Sequence, residues 1–248
     1  MKRDKVCTVI PVSAGMTVHT LFKCVTIITL IFLLYARNDT EWPADQKKAL
    51  VQSVRPLYPN AIMQKMNRYR RWQDQQAAIL GKWLLIQGLN RVGGRCDLLK
   101  TLFLTAYGRP CFDASSIDFN ISHSGNSVVC AIGKSVRVGV DVEVERHCML
   151  NNFQSMLPDW MWLDVQNAQD KHSAFFSLWT QVEAVLKAEG IGLRADIKAV
   201  KRVSECRIAL DQTWKMHTTK LDEDTHCAVA QPVDGDQMIE RQDIDPFS

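Results

Sequence analysis

Close cysteine pairs are missing from this 248-residue chain: its eight cysteines, at 7, 24, 96, 111, 130, 148, 206 and 227, form no CxxC and no CxH. That excludes a zinc ribbon or a thioredoxin-like redox motif. A chain of this length buries enough core to need neither disulfides nor a structural metal, so free thiols in a reducing compartment are expected. Long apolar runs are missing as well. The longest, Val25–Tyr35, is too short to span a bilayer. Lys2, Arg3 and Lys5 lie well before it, Lys23 and His19 interrupt the approach, and no small-x-small cleavage site follows. A strand around Val18–Ile28 leading into a first helix is therefore expected in place of a signal peptide, with Met16 as an alternative start. Internal repeats, low-complexity segments and the GxSxG elbow of a serine hydrolase are absent too. With 46% apolar and 23% charged residues, the composition excludes disorder.

The net charge of +3 hides an asymmetry. Residues 1–135 hold 18 Lys and Arg against 8 Asp and Glu, and residues 136–248 hold 12 against 19. One half suits anions and the other cations. Pro43 sits where a first helical turn accepts proline, so Ala44–Arg55 reads as a helix stopped by Pro56. Asn60 can cap a second helix running through Met66 and Tyr69 to Leu84, with Gly93-Gly94 breaking the pattern and Tyr107–Pro110 forming a turn. Ile117–Ser122, Val128–Ile132 and Arg137–Val144 read as a strand meander. A long helix follows from near Ser173 to Gly190, with later strands at Val203–Leu210 and Cys227–Ala230. The end of the chain, 231–248, carries five acids and one base and reads as a solvated tail.

Three places could carry chemistry. Asp141 and Glu143 are two apart on a strand, so their carboxylates share one side. Alone, such a pair is as well explained by a solvated edge strand; with a cation between them it suits Mg²⁺, a hard ion that prefers oxygen ligands. Trp179, Glu183 and Lys187 recur every four residues and stack on one helix face. A Glu–Lys pair at that spacing is commonly surface decoration, but a third acid beside a cation is also what a metal–phosphate site needs. His123 ends a strand before Gly125 with Ser122 and Ser124 beside it. Neighbours on a strand point to opposite faces, so Ser122 and His123 cannot pair as nucleophile and base, and an anion contact remains.

Together these pieces resemble the Sfp-type 4′-phosphopantetheinyl transferases. Phe119–Gly125 (FNISHSG), Val138–Glu143 (VGVDVE) and Trp179–Lys187 (WTQVEAVLK) match that family's three signature blocks in order. Tyr107–Pro110 (YGRP) matches its upstream turn and Gly190–Leu193 (GIGL) its post-helix turn; the similarity runs from about Val18 to Leu193. The resemblance implies an α/β (α+β) fold of two similar halves in a pseudo-two-fold arrangement with the active site at their interface. The expected boundaries are a leader at 1–16, a basic N-terminal half at 17–136, an acidic C-terminal half at 137–230 and the acidic tail at 231–248. It implies a cytoplasmic, monomeric enzyme that takes coenzyme A as co-substrate and moves its phosphopantetheine to a serine of an acyl or peptidyl carrier protein. Asp141, Glu143 and Glu183 would ligand Mg²⁺, Glu183 would act as base, and Lys187 would hold a pyrophosphate oxygen. Gly108, Arg109 and Pro110 would lie by the adenine and 3′-phosphate, with Ser122, His123, Lys65 and Arg68 reaching that phosphate.

The sequence departs from the family pattern at Val182, where the third block usually carries a lysine, and at Ala77 and Ala78, where an arginine and a hydroxyl are common. Val182 keeps open a competing reading, a non-catalytic relative that binds coenzyme A or a carrier; in the catalytic reading Val182→Lys is expected to leave activity unchanged or raise it. The basic–aromatic run Lys65–Trp72 could bind nucleic acid, but the acidic second half argues against it, and neither nucleic acid nor membrane is an expected partner. Met149, Met156, Leu157, Trp160, Met161 and Trp162 form either core or a carrier-docking surface.

Overall fold

The structure is a computed structural model and describes residues 29–66, 68–191, 196–210, 212–234 and 237–247. The strand expected around Val18–Ile28 and the leader fall outside the described residues. The end of the same apolar run forms β1 (Thr29–Arg37). Its residues are apolar on both faces because both faces are covered: Leu34 and Ala36 enter one core cluster, Ile31, Leu33 and Tyr35 another. That is why the run mimics a secretion signal.

After Pro43 come α1 (Ala44–Val54) and α2 (Asn60–Met66), then α3 (Trp72–Arg91). The single helix expected from Asn60 to Leu84 is therefore two. The break falls at Arg68-Tyr69-Arg70-Arg71, where three like charges would repel one another and oppose the positive end of the helix dipole. The short hairpin β2 (Leu102–Leu104) and β3 (Pro110–Phe112) carries the Tyr107–Pro110 turn. β4 (Ile117–Ser124) and β5 (Ser127–Lys134) pair antiparallel, and β5 pairs with β1.

The second sheet begins with β6 (Gly139–Val144), followed by α4 (Asp159–Asn167) and α5 (Lys171–Glu189). Asp170 caps α5 by accepting from Ser173 N at 3.0 Å, and Gly190 ends it at φ +80°. The strands β7 (Lys201–Val203), β8 (Cys206–Ala209), β9 (Gln212–Asp222) and β10 (Thr225–Pro232) complete the order β6-β10-β9-β8-β7. The meander expected across 117–144 is thus corrected: β6 lies beside β4 but takes its backbone ladder from β10.

The tail is corrected as well. Residues 237–243 form β11 (Gln237–Asp243), parallel to β1, giving a first sheet of order β11-β1-β5-β4. β1 would otherwise leave a row of unpaired backbone groups along one edge. Asp234, Glu240, Asp243 and Asp245 stay exposed while Ile239 and Ile244 reach the two cores, an alternation that a charge count hides. Phe247 then packs edge-on against Trp42 at 5.2 Å.

The result is a mixed α+β molecule. The two sheets share a core of Ile31, Leu33 and Val129 against Val140, Val142 and Val229. α3 covers the far face of the first sheet through Leu80, Leu84 and Leu85, and α5 covers the second through Val182, Val185 and Leu186. Both long helices are buried on broad faces, and the edge strands β4 and β6 meet at the seam. The six cysteines among the described residues are free, and no helix there is long and apolar enough to cross a membrane.

Candidate active site

The seam is built by one alternating pattern. In β4, Asp118, Asn120, Ser122 and Ser124 are two apart and face β6. Their side chains satisfy the backbone of β6 where no ladder does: Val138 N donates to Asp118 Oδ2 at 2.9 Å, Val140 N to Asn120 Oδ1 at 3.2 Å and Val144 N to Ser124 Oγ at 3.2 Å. The same serines hold the acids. Ser122 Oγ donates to Asp141 Oδ1 at 2.8 Å and Ser124 Oγ to Glu143 Oε2 at 2.7 Å.

The third wall is α5. Gly139 lets it approach, since a Cβ there would lie 2.1 Å from Ala184 O and 2.6 Å from Ala188 N. Glu183 and Lys187, one position before each of those alanines, are thereby brought over Asp141. Lys187 Nζ donates to Asp141 Oδ1 at 2.6 Å and to Ser122 Oγ at 2.7 Å. Asp141 and Glu183 are both buried. Burial pushes the Asp141 carboxyl up, opposed by Lys187 and Ser122. Burial also pushes Glu183 up to about 7, with the Asp141 charge adding to it and Lys187 opposing. Asp141 Oδ2 and Glu183 Oε1 are buried acceptors without a donor among the described residues.

The three acids expected as metal ligands share this face but do not close on one another: among the described residues no group of three or more His, Cys, Asp or Glu is gathered tightly enough for a metal ion. The reason is electrostatic. Carboxylates repel without a cation between them, and two of the three take a cation of their own, Asp141 taking Lys187 and Glu143 taking Arg146 at 2.9 Å.

The expected phosphate contacts divide. Ser122 is in the site. His123 points to the other side of β4 and is exposed; desolvation and then the charge of Lys187 hold its imidazole pKa down, while Asp74 in the first turn of α3 acts the other way. Arg68 is exposed in the link before α3, and Lys65 lies on α2 with its side chain outside the description. Gly108 adopts φ +86°, and Pro110 opens β3. Arg109 differs from expectation. Its side chain is only 3% exposed, and its guanidinium is turned inward, held by Asp118 and by backbone carbonyls. The turn residues Gly192–Ala195, including Arg194, fall outside the described residues.

Two further expectations change. Val182 is 1% exposed and belongs to the core beneath α5. A lysine there would enter apolar surroundings, so Val182→Lys is expected to destabilise the protein by several kcal/mol, read as a fall in urea midpoint, with no gain in activity. In the 149–162 cluster, Leu157 and Met161 are core, and the Trp160 indole donates to Val200 O at 2.9 Å; only Met149 and Met156 are largely exposed. Replacing Met161 would test packing, not docking. Sequence reasoning gave Asp118, Arg137 and Arg146 no role, and did not foresee Asn120 and Ser124 as partners of the β6 segment. The period-2 polar alternation through Asp118–Ser124 was the available signal for Asp118, Asn120 and Ser124.

Comparison with known proteins bears on this geometry. Residues 137–237, which hold Asp141, Glu143, Glu183 and Lys187, match the model of the 4′-phosphopantetheinyl transferase superfamily. A Haemophilus influenzae protein assigned as a 4′-phosphopantetheinyl transferase is 34% identical over 150 residues, covering 55% of this chain and 61% of its own. The 4′-phosphopantetheinyl transferase gsp of Aneurinibacillus migulanus is 33% identical over 53% of this chain and 56% of its own. The 4′-phosphopantetheinyl transferase Sfp of Bacillus subtilis is 30% identical over 52% and 59%. The chain thus spans about three fifths of the length of these relatives.

Proposed function

We propose, from the match of residues 137–237 to the model of the 4′-phosphopantetheinyl transferase superfamily, that the protein transfers 4′-phosphopantetheine from coenzyme A to a serine hydroxyl of an acyl or peptidyl carrier protein. The observation that carries the reading is the meeting of Asp141, Glu183 and Lys187 with Ser122 at the seam, two acids with free oxygens beside one cation. In this reading the two helix-on-sheet halves are related by a pseudo-two-fold axis. The protein works as a cytoplasmic monomer and needs neither nucleic acid nor membrane.

A divalent cation fits this donor set. Asp141 Oδ2 and Glu183 Oε1 are buried acceptors that no described residue satisfies, and hard oxygen ligands are what Mg²⁺ takes. Asp141, Glu143 and Glu183 would hold it, and once bound it neutralises charge on the coenzyme A pyrophosphate. Lys187 Nζ, now on Asp141 and Ser122, is a donor for a pyrophosphate oxygen. Burial pushes the Glu183 carboxyl up to about 7 without metal; with a cation beside it the group would be ionised and would take the proton of the carrier serine. The serine oxygen forms a bond to the phosphorus of the pantetheine side as the bond to the other phosphate breaks, and adenosine 3′,5′-bisphosphate leaves. His123 with the basic link at Arg68, and Lys65 on α2, would meet the 3′-phosphate, and the backbone of Gly108 and Pro110 the adenine.

Incubating the protein with an apo carrier, coenzyme A and Mg²⁺ should add the mass of one phosphopantetheine to the carrier, with no gain in EDTA. Asp141→Asn, which keeps the side chain's shape, should lower the rate at least ~100-fold while leaving the fold intact. Full activity in that variant would remove Asp141 from the site. No mass gain on acyl or peptidyl carriers, with coenzyme A bound by calorimetry, would favour the non-catalytic relative.

A further inference from the structure

Two arginines, Arg109 in the turn before β3 and Arg137 just before β6, converge on the last turn of α5, one turn from the proposed site residue Glu183. Arg109 Nη2 donates to Asp118 Oδ2 at 2.8 Å, to Val138 O at 2.9 Å and to Phe119 O at 3.3 Å, and its Nη1 to Ala188 O at 3.4 Å. Arg137 Nε donates to the same Ala188 carbonyl at 2.7 Å and its Nη2 to Glu189 O at 3.4 Å. Asp118 binds from the other side: besides Arg109 it accepts from Val138 N at 2.9 Å, and Arg137 lies 3.9 Å away. Gly190 leaves the room, since a Cβ there would sit 3.0 Å from Arg109 Cδ and 3.2 Å from Arg137 Nη2.

The chemistry suits this place. The final carbonyls of a helix have no partners within it and carry the negative end of its dipole, so two guanidinium groups both satisfy and neutralise them. Lys187 precedes Ala188 directly, so whatever fixes the Ala188 carbonyl fixes the root of the Lys187 side chain. Among the described residues Arg109 Nε has no partner and is shut off from solvent, and with the side chain only 3% exposed the guanidinium presents little of its fork to an approaching phosphate. A lysine could match the charge of Arg109 but not its fork, which ties β4, β6 and α5 together at once.

We infer that Asp118, acting through Arg109 and together with Arg137, is a positioning clamp that sets Lys187 and Glu183 over Asp141, and that Arg109 aligns the site instead of binding the 3′-phosphate of coenzyme A. The inference rests on the proposed transferase reading for its kinetic consequence and on the geometry alone for its structural one.

The test compares coenzyme A with 3′-dephospho-coenzyme A in wild type, Asp118→Asn and Arg109→Lys, by calorimetry and by transfer rate. The clamp predicts at least a ~10-fold fall in kcat with both nucleotides. KM is expected to change little, and the affinity ratio between the two nucleotides to stay within about twofold of wild type. Faster amide exchange confined to 186–190 should accompany it. If the ratio collapses in Arg109→Lys, Arg109 is a phosphate ligand and the clamp is wrong. Unchanged kcat and unchanged exchange in Asp118→Asn would also overturn it. Asp118→Asn, nearly isosteric, keeps the test open should Arg109→Lys fold poorly. A wild type that neither transfers nor binds coenzyme A defeats the transferase reading, while the exchange measurement still decides the clamp.

Discussion

Replacing Glu183 by glutamine should abolish most of the transfer and at the same time stabilise the protein above neutral pH. Removing a general base typically costs 10²–10⁴-fold, and here the same side chain is a proposed metal ligand, so a loss toward the upper end is expected. The stability gain has a separate cause. Burial raises the Glu183 carboxyl to about 7, with the Asp141 charge adding to it and Lys187 opposing. An acid whose folded pKa lies above its unfolded value binds its proton more tightly in the fold. Its contribution is therefore full below the unfolded value and is lost as pH rises through about 7. At pH 8 the wild type holds a buried carboxylate that the glutamine variant lacks, a difference of about 3 kcal/mol at most. Urea denaturation at pH 5 and pH 8 without divalent metal checks it: the two proteins should nearly coincide at the lower pH and separate at the higher. Mg²⁺ should narrow the gap by stabilising only the wild type. Equal midpoints at pH 8 would mean that Glu183 is solvated and unsuited to be the base.

What the sequence disclosed follows from how local each feature is. The α5 helix and its glycine end are written in neighbouring residues and appear within two residues of expectation, while the cap expected near Ser173 is Asp170, three residues earlier. The pairing of Asp141 with Glu143 on one face needs only the strand period. Features that depend on a distant segment were not legible. Nothing in the acidic segment 231–248 announces that it completes the sheet beside β1, because the partner is an open edge near the other end of the chain. Arg109 reads as a free cation in a glycine turn until Asp118 is known to be folded against it. Val182 reads as a missing site cation because it adjoins Glu183 in sequence, yet neighbours on a helix point about 100° apart, and this one points into the core. The seam itself was half visible. The polar alternation of β4 was present in the sequence, but alternation alone does not distinguish a solvent-facing strand from one that holds a second strand by its side chains.

Gly139→Ala is expected to be the most disruptive single methyl group that can be added to the site. The difficulty is not backbone conformation but space: the new Cβ would lie 2.1 Å from Ala184 O, 2.6 Å from Ala188 N and 2.8 Å from Ala188 Cβ. Two of those atoms are helix backbone, so no rotamer change relieves the clash, and trimming Ala188 to glycine would remove only the third. The whole of α5 must move away from β6 instead. Overpacking of this kind costs about 1–3 kcal/mol and occasionally more, and a rigid helix on one side places this case at the upper end. Activity should suffer more than stability, because Glu183 and Lys187 are the residues next to the two displaced alanines. A shift of about 1 Å in a catalytic group can cost ~100-fold. Denaturation midpoints and transfer rates on one preparation separate the effects. A rate loss of ~100-fold in protein that still unfolds cooperatively would show that the glycine sets the helix-to-strand distance on which the site depends. Wild-type rate in a folded variant would mean that Lys187 and Asp141 meet by some other means than this close approach.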